Sequence, residues 1–357
     1  MEILNDNRVR EEKNYFDGSI NRYHHLYNSL ADDLSKTLFL DRVLFSITRE
    51  WRYVYQLIED SMPELFDSVR SIDDNRELII YGAGVNCDTA VYACRKMGKN
   101  ISLICDKNTS LHGEKYQGID IISPDELISL HKDACILIST TRYLNEVLLF
   151  LRQHFDEQQI IPLANEKVME RIKMQYFDEC VGTRDDEVFI DGGCYDFETC
   201  EVLLSKCKPK KIYAFEPDEE NYHVVMDAVK KANNCDIEVI KKGLWDESCT
   251  LHFTSMKDCS RVDGNGDCNV EVVALDQVIS DQITFVKMDI EGSEMKALEG
   301  AQNLIKKYKP RLAICIYHKY EDVIDILEYI KSLVPEYKLY IRHHAINQCE
   351  TVVYAVI

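Results

Sequence analysis

The sequence predicts an α/β protein with two mostly parallel sheets behind a helical N-terminal segment, and three observations carry this prediction. Residues 1–75 show no strand-like alternation. Residues 76–165 alternate short apolar runs with helical patterns, and the same alternation restarts, longer and more regular, in residues 166–357. Short apolar strands joined through helices are typical of parallel sheets. We therefore predict a helical segment over 1–75, a small α/β domain over 76–165 and a larger one over 166–357.

The composition is that of a globular protein with an acidic surface. The 357 residues are 46% hydrophobic and 29% charged, and a chain of this length and apolar content favours more than one domain. The net charge of −20 disfavours nucleic-acid or anionic-membrane partners. The N-terminus lacks an apolar signal region, and no long apolar run predicts a membrane-spanning helix. The 14 cysteines form no C-x-x-C pair or zinc pattern, so we expect free thiols in a reducing cytoplasm.

The N-terminal segment predicts two helices, because apolar side chains recur at near-helical spacing. These side chains are Leu26, Leu30, Leu34, Leu38, Val43 and Leu44. Such a stripe is most simply a packing element or a homodimer contact.

The small domain reads strand–helix–strand from "ELIIYG" through "NCDTAVYACRKMG" to "NISLICD". The helix "SPDELISLHK" has Ser123 as its cap and Pro124 at its first position. The strand "ACILIST", the helix "TRYLNEVLLFLRQHF" and the strand "QIIPL" follow. This order predicts a small Rossmann-like sheet. Its turn "GAGVNCD" has Cys87 where a third glycine would complete G-x-G-x-x-G, which argues against dinucleotide binding.

A connecting helix is expected within residues 165–185, and the larger domain then predicts seven main strands and four helices. The strands are expected at 188–193, 211–216, 237–241, 284–289, 311–317, 337–342 and 351–357, and the helices at 197–206, 219–233, 293–308 and 320–333. An extra strand pair, "CTLHFTS" and "NVEVVAL", interrupts the alternation. The last two strands have only a loop between them and should be antiparallel. A mostly parallel sheet with an antiparallel last strand is what a class I S-adenosylmethionine-dependent methyltransferase has.

The stretch "VFIDGGCYDFET" passes from a strand to a helix through two glycines and predicts a nucleotide site. Asp191, Gly192, Gly193 and Cys194 should lie at the carboxyl edge of the sheet, where open α/β sheets bind ligands. Glycines there permit positive φ and close approach of a ligand. The pattern fits NAD, FAD or S-adenosylmethionine, and the Asp191 carboxylate would repel a diphosphate but accept a sulfonium with an amino-acid tail.

Three further loops should meet at this edge. Glu216, in "IYAFEPD", ends the second strand and can accept bonds from both ribose hydroxyls, a role shared with NAD enzymes. Asp289 ends the strand in "TFVKMDIEGSEMKALEGA", with Glu291 and Glu294 close behind, and carboxylates this near to one another need a compensating cation, ligand or solvent. Gly243 and Leu244, in "KKGLWDE", are expected to line an adenine, whereas Trp245 fits that role or the core equally well.

The chain resembles the FkbM-type methyltransferase family over residues 188–357. The matching pieces are "VFIDGGCYDFET", "IYAFEPD", "VALDQV", "FVKMDIEGSEMKALEGA", "LAICIYHKYEDV" and "YIRHHAINQCETVVYAV". The resemblance implies S-adenosyl-L-methionine as cofactor and methylation of a hydroxyl oxygen, often on a sugar or another small molecule. It implies cofactor contacts for Asp191, Gly193, Glu216 and Asp289. The expected cofactor set is completed by Gly192, Cys194, Tyr195, Thr199, Pro217, Gly243 and Leu244.

The candidate bases at the acceptor oxygen are, in order, His318, Asp289 and His343. Histidine titrates in the useful range, and His318 follows the buried strand "LAICIY" on the same edge as Asp289. His343 and His344 follow "LYIR", whose strand we expect to end elsewhere, so at most one of them should face the pocket. Asp289, Glu291 and His318 could together hold a divalent ion, but nothing in the sequence requires a metal and none is predicted.

Two other functions compete with methyl transfer. A NAD-dependent sugar dehydrogenase or epimerase would use Gly82, Gly84 and Asp106, with Tyr92 and Lys96 as its Tyr-x-x-x-Lys pair. The small domain also resembles nucleotide-binding-type domains found beside sugar-modifying enzymes, so a non-catalytic protein that binds a nucleotide-sugar is the third reading. The identity of the acceptor is left open.

Overall fold

The computed structural model describes residues 20–232, 235–254, 261–262 and 268–357. The predictions for residues 1–19, 233 and 255 lie outside these described residues. The described chain forms two compact units. Unit one contains the described residues up to Arg49 together with 174–343 and 350–357, and unit two contains 50–173 and 344–349.

The two units cut across the three predicted segments, because the N-terminal helices are shared between them. Residues 20–29 (α1) and Asp33–Thr48 (α2) belong to unit one. There, the hydroxyl of Ser35 accepts a bond of 2.9 Å from the backbone amide of Ile341, and Asp32 pairs with Arg342 at 2.6 Å. The next two helices, α3 and α4, belong to unit two, so the described segment has four helices where we predicted two.

Unit two is built on a six-stranded sheet of order β3-β4-β2-β1-β5-β6, in which only β3 runs antiparallel to its neighbour. Its strands are β1 Leu78–Tyr81, β2 Leu103–Cys105, β3 Lys115–Tyr116, β4 Ile119–Ile122, β5 Cys135–Ile138 and β6 Ile160–Pro162. Its helices are α3 Trp51–Ser61, α4 Leu65–Arg70, α5 Cys87–Lys96, α6 Pro124–Leu130, α7 Leu144–Leu151 and α8 Glu166–Lys173.

The sequence did not predict β3 and β4. The tight turn between them has positive φ at Gln117 (49°) and Gly118 (86°), which is the backbone that a two-residue hairpin requires. Ser123 caps α6 as predicted, accepting a bond of 3.1 Å from the amide of Glu126.

Unit one contains a seven-stranded sheet of order β16-β17-β15-β14-β7-β8-β9, in which only β17 is antiparallel to its neighbours. The predicted mostly parallel sheet with an antiparallel last strand is confirmed. Its strands are β7 Val188–Gly192, β8 Lys211–Phe215, β9 Asp236–Ile240, β14 Phe285–Met288, β15 Arg311–Cys315, β16 Lys338–His343 and β17 Thr351–Val356.

The helices of this unit after α2 are α9 Glu198–Lys206, α10 Glu219–Val229, α11 Leu275–Val278, α12 Glu294–Glu299, α13 Gln302–Tyr308 and α14 Asp322–Leu333. The single helix predicted over 293–308 is in fact two. Gly300 packs so closely on the loop after β10 that a Cβ atom there would lie 2.0 Å from the Trp245 carbonyl oxygen, and the helix breaks at this point.

The predicted extra strand pair is part of a four-stranded sheet of order β10-β13-β11-β12. Its strands are β10 Gly243–Leu244, β11 Cys249–Thr254, β12 Arg261–Val262 and β13 Cys268–Val273. None of the helices in the described part of the chain has the length and apolar content that crossing a bilayer requires.

Candidate functional site

The glycine turn after β7 packs tightly against two neighbouring strands. The amides of Gly193 and Cys194 both donate to the Phe215 carbonyl at 3.1 Å. Gly193 has a φ of 74°, and a Cβ atom there would lie 1.9 Å from the Asp289 carbonyl oxygen. A Cβ atom on Gly192 would lie 2.7 Å from Leu244. The glycines are therefore required by packing against the neighbouring strands, and the predicted approach of a ligand to this backbone stays a prediction.

Asp191 lies under this turn and is paired with a lysine. Its carboxylate is fully buried and 2.9 Å from the ammonium group of Lys287, which is 2% exposed. The same ammonium donates to the carbonyls of Gly192 (3.1 Å) and Gly193 (2.5 Å). Burial alone would lower the pKa of Lys287, but the charges of Asp191 and Asp289 outweigh it and raise that pKa. The sequence predicts that the Asp191 carboxylate repels a diphosphate. Because Lys287 neutralises this carboxylate, its charge does not by itself exclude a diphosphate.

Glu216 ends β8 and holds the other side of the turn. One carboxylate oxygen accepts the amide of Tyr195, and the other accepts the amide of Asp218, each at 2.9 Å. The side chain is buried, and this burial raises the pKa of Glu216. A carboxylate offers about four lone-pair sites, so each oxygen can still accept one more hydrogen bond.

The other predicted cofactor residues lie on the same loops. Pro217 is 3.9 Å from where a Cβ atom of Gly243 would be, and Leu244 contacts the turn as described above. Thr199 is half-buried in the first turn of α9. Cys194 is buried, and burial raises the pKa of its thiol. Tyr195 is exposed.

Three of the eight non-glycine residues with positive φ in the described chain lie at this edge of the sheet. Tyr195, Phe197 and Glu291 have φ values of 51°, 76° and 54°, which non-glycine residues rarely adopt. Strain of this kind clusters at ligand sites, where the surrounding structure imposes it.

Asp289 follows β14 and lies among three side chains. One of its oxygens accepts a bond of 2.6 Å from the Tyr176 hydroxyl. The other is 3.2 Å from the Tyr317 hydroxyl and 3.4 Å from Nε2 of His318. The structure therefore brings together Asp289 and His318, the first two candidate bases.

His318 is surrounded by carboxylates. Its Nδ1 is 3.0 Å from Glu294, and its Nε2 is 3.6 Å from Glu291. Burial would lower the pKa of His318, but Glu294, Asp289 and Glu291 together raise it to about 9. In this arrangement the imidazole is protonated at neutral pH, whereas a general base must be neutral.

More carboxyl groups crowd this region than cations can balance. Burial and then the charge of Asp289 raise the pKa of Glu350 to about 7. Burial and then Glu294 raise the pKa of Asp322 to about 7 as well. Burial also raises the pKa of Glu291.

The expected end of the His343 strand is wrong. Both β15 and β16 run antiparallel to β17, so β16 is parallel to the main sheet and ends at the same edge. His343 nevertheless lies three strands away from β14, about 14 Å at the usual strand spacing. Its Nδ1 contacts the Thr351 hydroxyl at 3.0 Å. His344 belongs to unit two, where its Nδ1 is 3.1 Å from the Arg171 carbonyl.

The turn after β1 in unit two resembles the one after β7. Gly82 has a φ of 109°, and the Asp106 carboxylate accepts the Ala83 amide at 2.6 Å. Tyr92 and Lys96, the pair that a dehydrogenase would use, both bond to Glu59.

Sequence reasoning missed four residues of the site. Lys287 left a signal, because a lysine inside an apolar strand implies a buried partner. Tyr317 also left a signal, because it directly precedes His318 at the end of a strand expected on the same edge as Asp289. Tyr176 and Glu350 come from segments whose approach to the site depends on the tertiary fold.

A known protein family matches the part of the chain that carries this site. Residues 181–338 match the family model described as "Methyltransferase FkbM domain". No curated protein matches the chain at a significant level. Residues 181–338 thus contain the glycine turn, Glu216, Asp289 and His318.

Solved structures are also similar to the chain. The methyltransferase FkbM from Methylobacillus flagellatus KT is 19% identical, with 91% of this chain and 99% of that chain covered and a TM-score of 0.45. Fibrillarin from Aeropyrum pernix, in complex with natively bound S-adenosyl-L-methionine, is 10% identical, with 53% and 74% covered and a TM-score of 0.35. An rRNA methylase from Streptococcus thermophilus is 19% identical, with 52% and 91% covered and a TM-score of 0.33. From the family match, residues 181–338 of this chain form a methyltransferase FkbM domain.

Proposed function

We propose that the chain transfers a methyl group from S-adenosyl-L-methionine to a hydroxyl oxygen of a small molecule, sugar or glycan unit. The observation that carries the proposal is the glycine turn, where Gly193 has no room for a side chain and Glu216 lies directly behind Tyr195. Such a turn at the carboxyl edge of a parallel sheet lets a ligand approach the backbone. The net charge of −20 favours a small acceptor over a nucleic acid.

The described residues fit this cofactor. The remaining lone pairs of Glu216 can accept hydrogen bonds from the ribose hydroxyls. Gly243 lies next to Pro217 and Leu244 lies next to Gly192, and these residues would contact the adenine. Asp191 acts through Lys287, which fixes the carbonyls of the turn. Asp191 is therefore a positioning residue in this proposal.

The cofactor supplies an activated methyl group, and the protein must align the acceptor oxygen and accept its proton. Alignment can contribute about 7–11 kcal/mol and a positioned base about 10²–10⁴-fold in rate. We assign the proton-accepting role to Asp289 and the alignment of the acceptor oxygen to the protonated ring of His318, both of which lie next to the turn. His343, bonded to Thr351 in the sheet, has a structural role.

Calorimetry with S-adenosylhomocysteine tests the cofactor site. We expect one molecule bound per chain, with at least tenfold weaker binding in Glu216→Ala. The matched control is Asp106→Ala, which removes the equivalent turn acid of unit two and should leave the affinity unchanged. Wild-type affinity in Glu216→Ala, or a loss confined to Asp106→Ala, would place the cofactor elsewhere.

Turnover is tested with radiolabelled S-adenosyl-L-methionine and a panel of hydroxylated small molecules and sugars. We expect His318→Ala to keep the affinity for S-adenosylhomocysteine, and both His318→Ala and Asp289→Asn to lose methyl transfer at least a hundredfold. Full turnover in both variants would remove them from the reaction.

A further inference from the structure

Five side chains of unit one form a closed ring of hydrogen bonds that includes Asp289. The Tyr317 hydroxyl lies between two acids, 3.2 Å from Oδ1 of Asp289 and 3.2 Å from Oε1 of Glu350. The side-chain amide of Gln175 donates to the other oxygen of Glu350 and, at 2.9 Å, to the Tyr176 hydroxyl. Tyr176 donates to Oδ2 of Asp289 at 2.6 Å and so closes the ring.

This ring is one hydrogen short when both of its acids are ionised. A carboxylate only accepts hydrogen bonds, and a phenol has a single hydrogen to donate. Tyr317 therefore donates to Asp289 or to Glu350 but not to both, and its oxygen lone pairs face the acid to which it does not donate. One added proton removes this mismatch, because the protonated acid donates to the Tyr317 oxygen while Tyr317 donates to the other acid.

The surroundings favour Glu350 as the acid that holds this proton. Asp289 is 3.4 Å from the protonated ring of His318, and a positive charge attracts an ionised acid. Glu350 instead has a neutral amide, Gln175, at its second oxygen. Burial and then the charge of Asp289 raise the pKa of Glu350 to about 7, so it keeps a proton at a pH where an ordinary glutamate has lost it. The titratable groups that face Glu350 are Asp289, His318, Tyr317, Tyr176 and Cys315.

We propose that Glu350 is a positioning residue, which as the neutral acid donates to Tyr317 and so directs the Tyr317 hydrogen to Asp289. This role rests on the proposed methyl transfer, in which Asp289 accepts the proton of the acceptor oxygen. With Tyr176 and Tyr317 both donating to it, the Asp289 carboxylate is held at both oxygens. Its side chain is 21% exposed, and its remaining lone pairs can accept the acceptor hydroxyl. Ionisation of Glu350 would draw the Tyr317 hydrogen away and release this orientation.

Infrared difference spectroscopy on the full chain tests this protonation without any turnover, because a neutral carboxyl group has a carbonyl stretch that a carboxylate lacks. We expect the difference between wild type and Glu350→Gln to contain this band about one unit below pH 7 and to lose it about one unit above. The matched control is Asp322→Asn, since Asp322 is a buried acid of unit one whose pKa is also raised to about 7, and it should keep the Glu350 band. Absence of the band at the lower pH would show that Glu350 is ionised there and would overturn the proposal.

Turnover separates a positioning role from a structural one. A glutamine keeps a donor to Tyr317, so Glu350→Gln should match the wild-type kcat to within about twofold below pH 7, whereas Glu350→Ala and Tyr317→Phe should each lose about tenfold. The wild-type kcat should fall as the pH rises through about 7, where Glu350 ionises, and Glu350→Gln should not show this fall. A second fall through about pH 9, where His318 loses its proton, should be present in both proteins. Equal losses in Glu350→Gln and Glu350→Ala, or the same fall through pH 7 in Glu350→Gln, would show that Glu350 is only structural.

The infrared measurement also separates this proposal from the proposed function, because it needs neither cofactor nor acceptor. A Glu350 band without methyl transfer to any acceptor would contradict the proposed function and leave the protonation of Glu350 standing. Methyl transfer without the band would do the reverse. Should Glu350→Gln fail to fold, Tyr317→Phe provides the second variant. It should shift the pH at which the wild-type band is lost, and an unshifted band would show that Tyr317 does not link the two acids.

Discussion

The two units hold the turn after their first strand with side chains from the same two positions. In both, an acid after the second strand accepts an amide of the turn: Glu216 from Tyr195 in unit one, and Asp106 from Ala83 in unit two. In both, a side chain on or just after the adjacent parallel strand donates to a carbonyl of the turn. Lys287 does so in unit one, where unit two has Ser139, 2.8 Å from the Gly82 carbonyl.

The difference lies in charge. Ser139 is a neutral donor, whereas Lys287 is a buried cation that needs a buried anion, Asp191. The acids after β14 and the histidine after β15 belong to unit one, while β5 of unit two continues into "STTR". Both units therefore share a glycine turn whose amide is held by an acid. Unit one differs by the charged residues around Lys287 and Asp289, and it is the unit to which we assign the chemistry.

The largest expected effect separates the two donors. Lys287→Met leaves the Asp191 carboxylate buried without a cation, with the Cys200 thiol still donating to it at 3.1 Å, and should reduce the free energy of unfolding by about 3–5 kcal/mol. Ser139→Ala removes a neutral hydrogen bond and should cost about 1 kcal/mol. Urea denaturation measures both. The double variant Asp191→Asn with Lys287→Met should recover much of the loss, and equal losses in the two single variants would mean that the turns are held alike.

A smaller difference is expected between the two glycines. A Cβ atom at Gly193 would meet a backbone oxygen at 1.9 Å, whereas at Gly82 it would meet the Ser139 hydroxyl at 2.6 Å, and that hydroxyl can rotate away. Both positions have positive φ, and the 109° of Gly82 lies further from the left-handed region open to a side chain than the 74° of Gly193 does. This strain at Gly82 offsets part of the difference, but the backbone clash at Gly193 is the larger effect. We expect Gly193→Ala to be less stable than Gly82→Ala by about 1–3 kcal/mol, measured by the same denaturation. A greater loss in Gly82→Ala would place the tighter turn in unit two.

The turns and the parallel direction of most strands could be predicted because glycines, strand length and helix spacing are local signals. The Asp191–Lys287 pair could not, since nothing near Asp191 in the sequence names its partner. The direction of β16 was misjudged although a signal existed. "KLYIRH" alternates buried and partly exposed residues, as an edge strand does, while "TVVYAV" is a continuous apolar run that fits the inserted strand β17.

The residues around Asp289 show the same limit. "KMDIEGSE" identified the acids and the edge at which they lie, because a strand end is a local feature. Tyr317 lies at the same strand end as His318, whereas Tyr176 and Glu350 reach the site from two segments that only the fold brings together. What each acid contacts, and hence the protonation of His318, could not be predicted from spacing.

The smallest expected effect compares an acid–arginine pair in each unit. Burial raises the pKa of Asp32, but hydrogen bonds from Arg342 and Ser35 outweigh it and lower that pKa. Burial also raises the pKa of Glu64, but a backbone hydrogen bond and the pairing with Arg171 at 2.9 Å outweigh it and lower that pKa. Arg342 is 17% exposed and Arg171 is 51% exposed, so solvent screens the second pair more.

We therefore expect Arg342→Met to reduce stability at pH 7 by about 1 kcal/mol and Arg171→Met by less than about 0.5 kcal/mol. Hydrogen exchange of peptides from each unit reports the two separately. Because the folded-state pKa of Asp32 is lowered, its contribution is complete above the unfolded-state pKa of about 3.9 and is lost as the pH falls through the folded-state value. The difference between wild type and Arg342→Met should accordingly shrink below about pH 4. A difference that stays constant on acidification would mean that Arg342 stabilises unit one by packing and not through its ion pair with Asp32. The charges that distinguish unit one would then be those around Lys287 and Asp289.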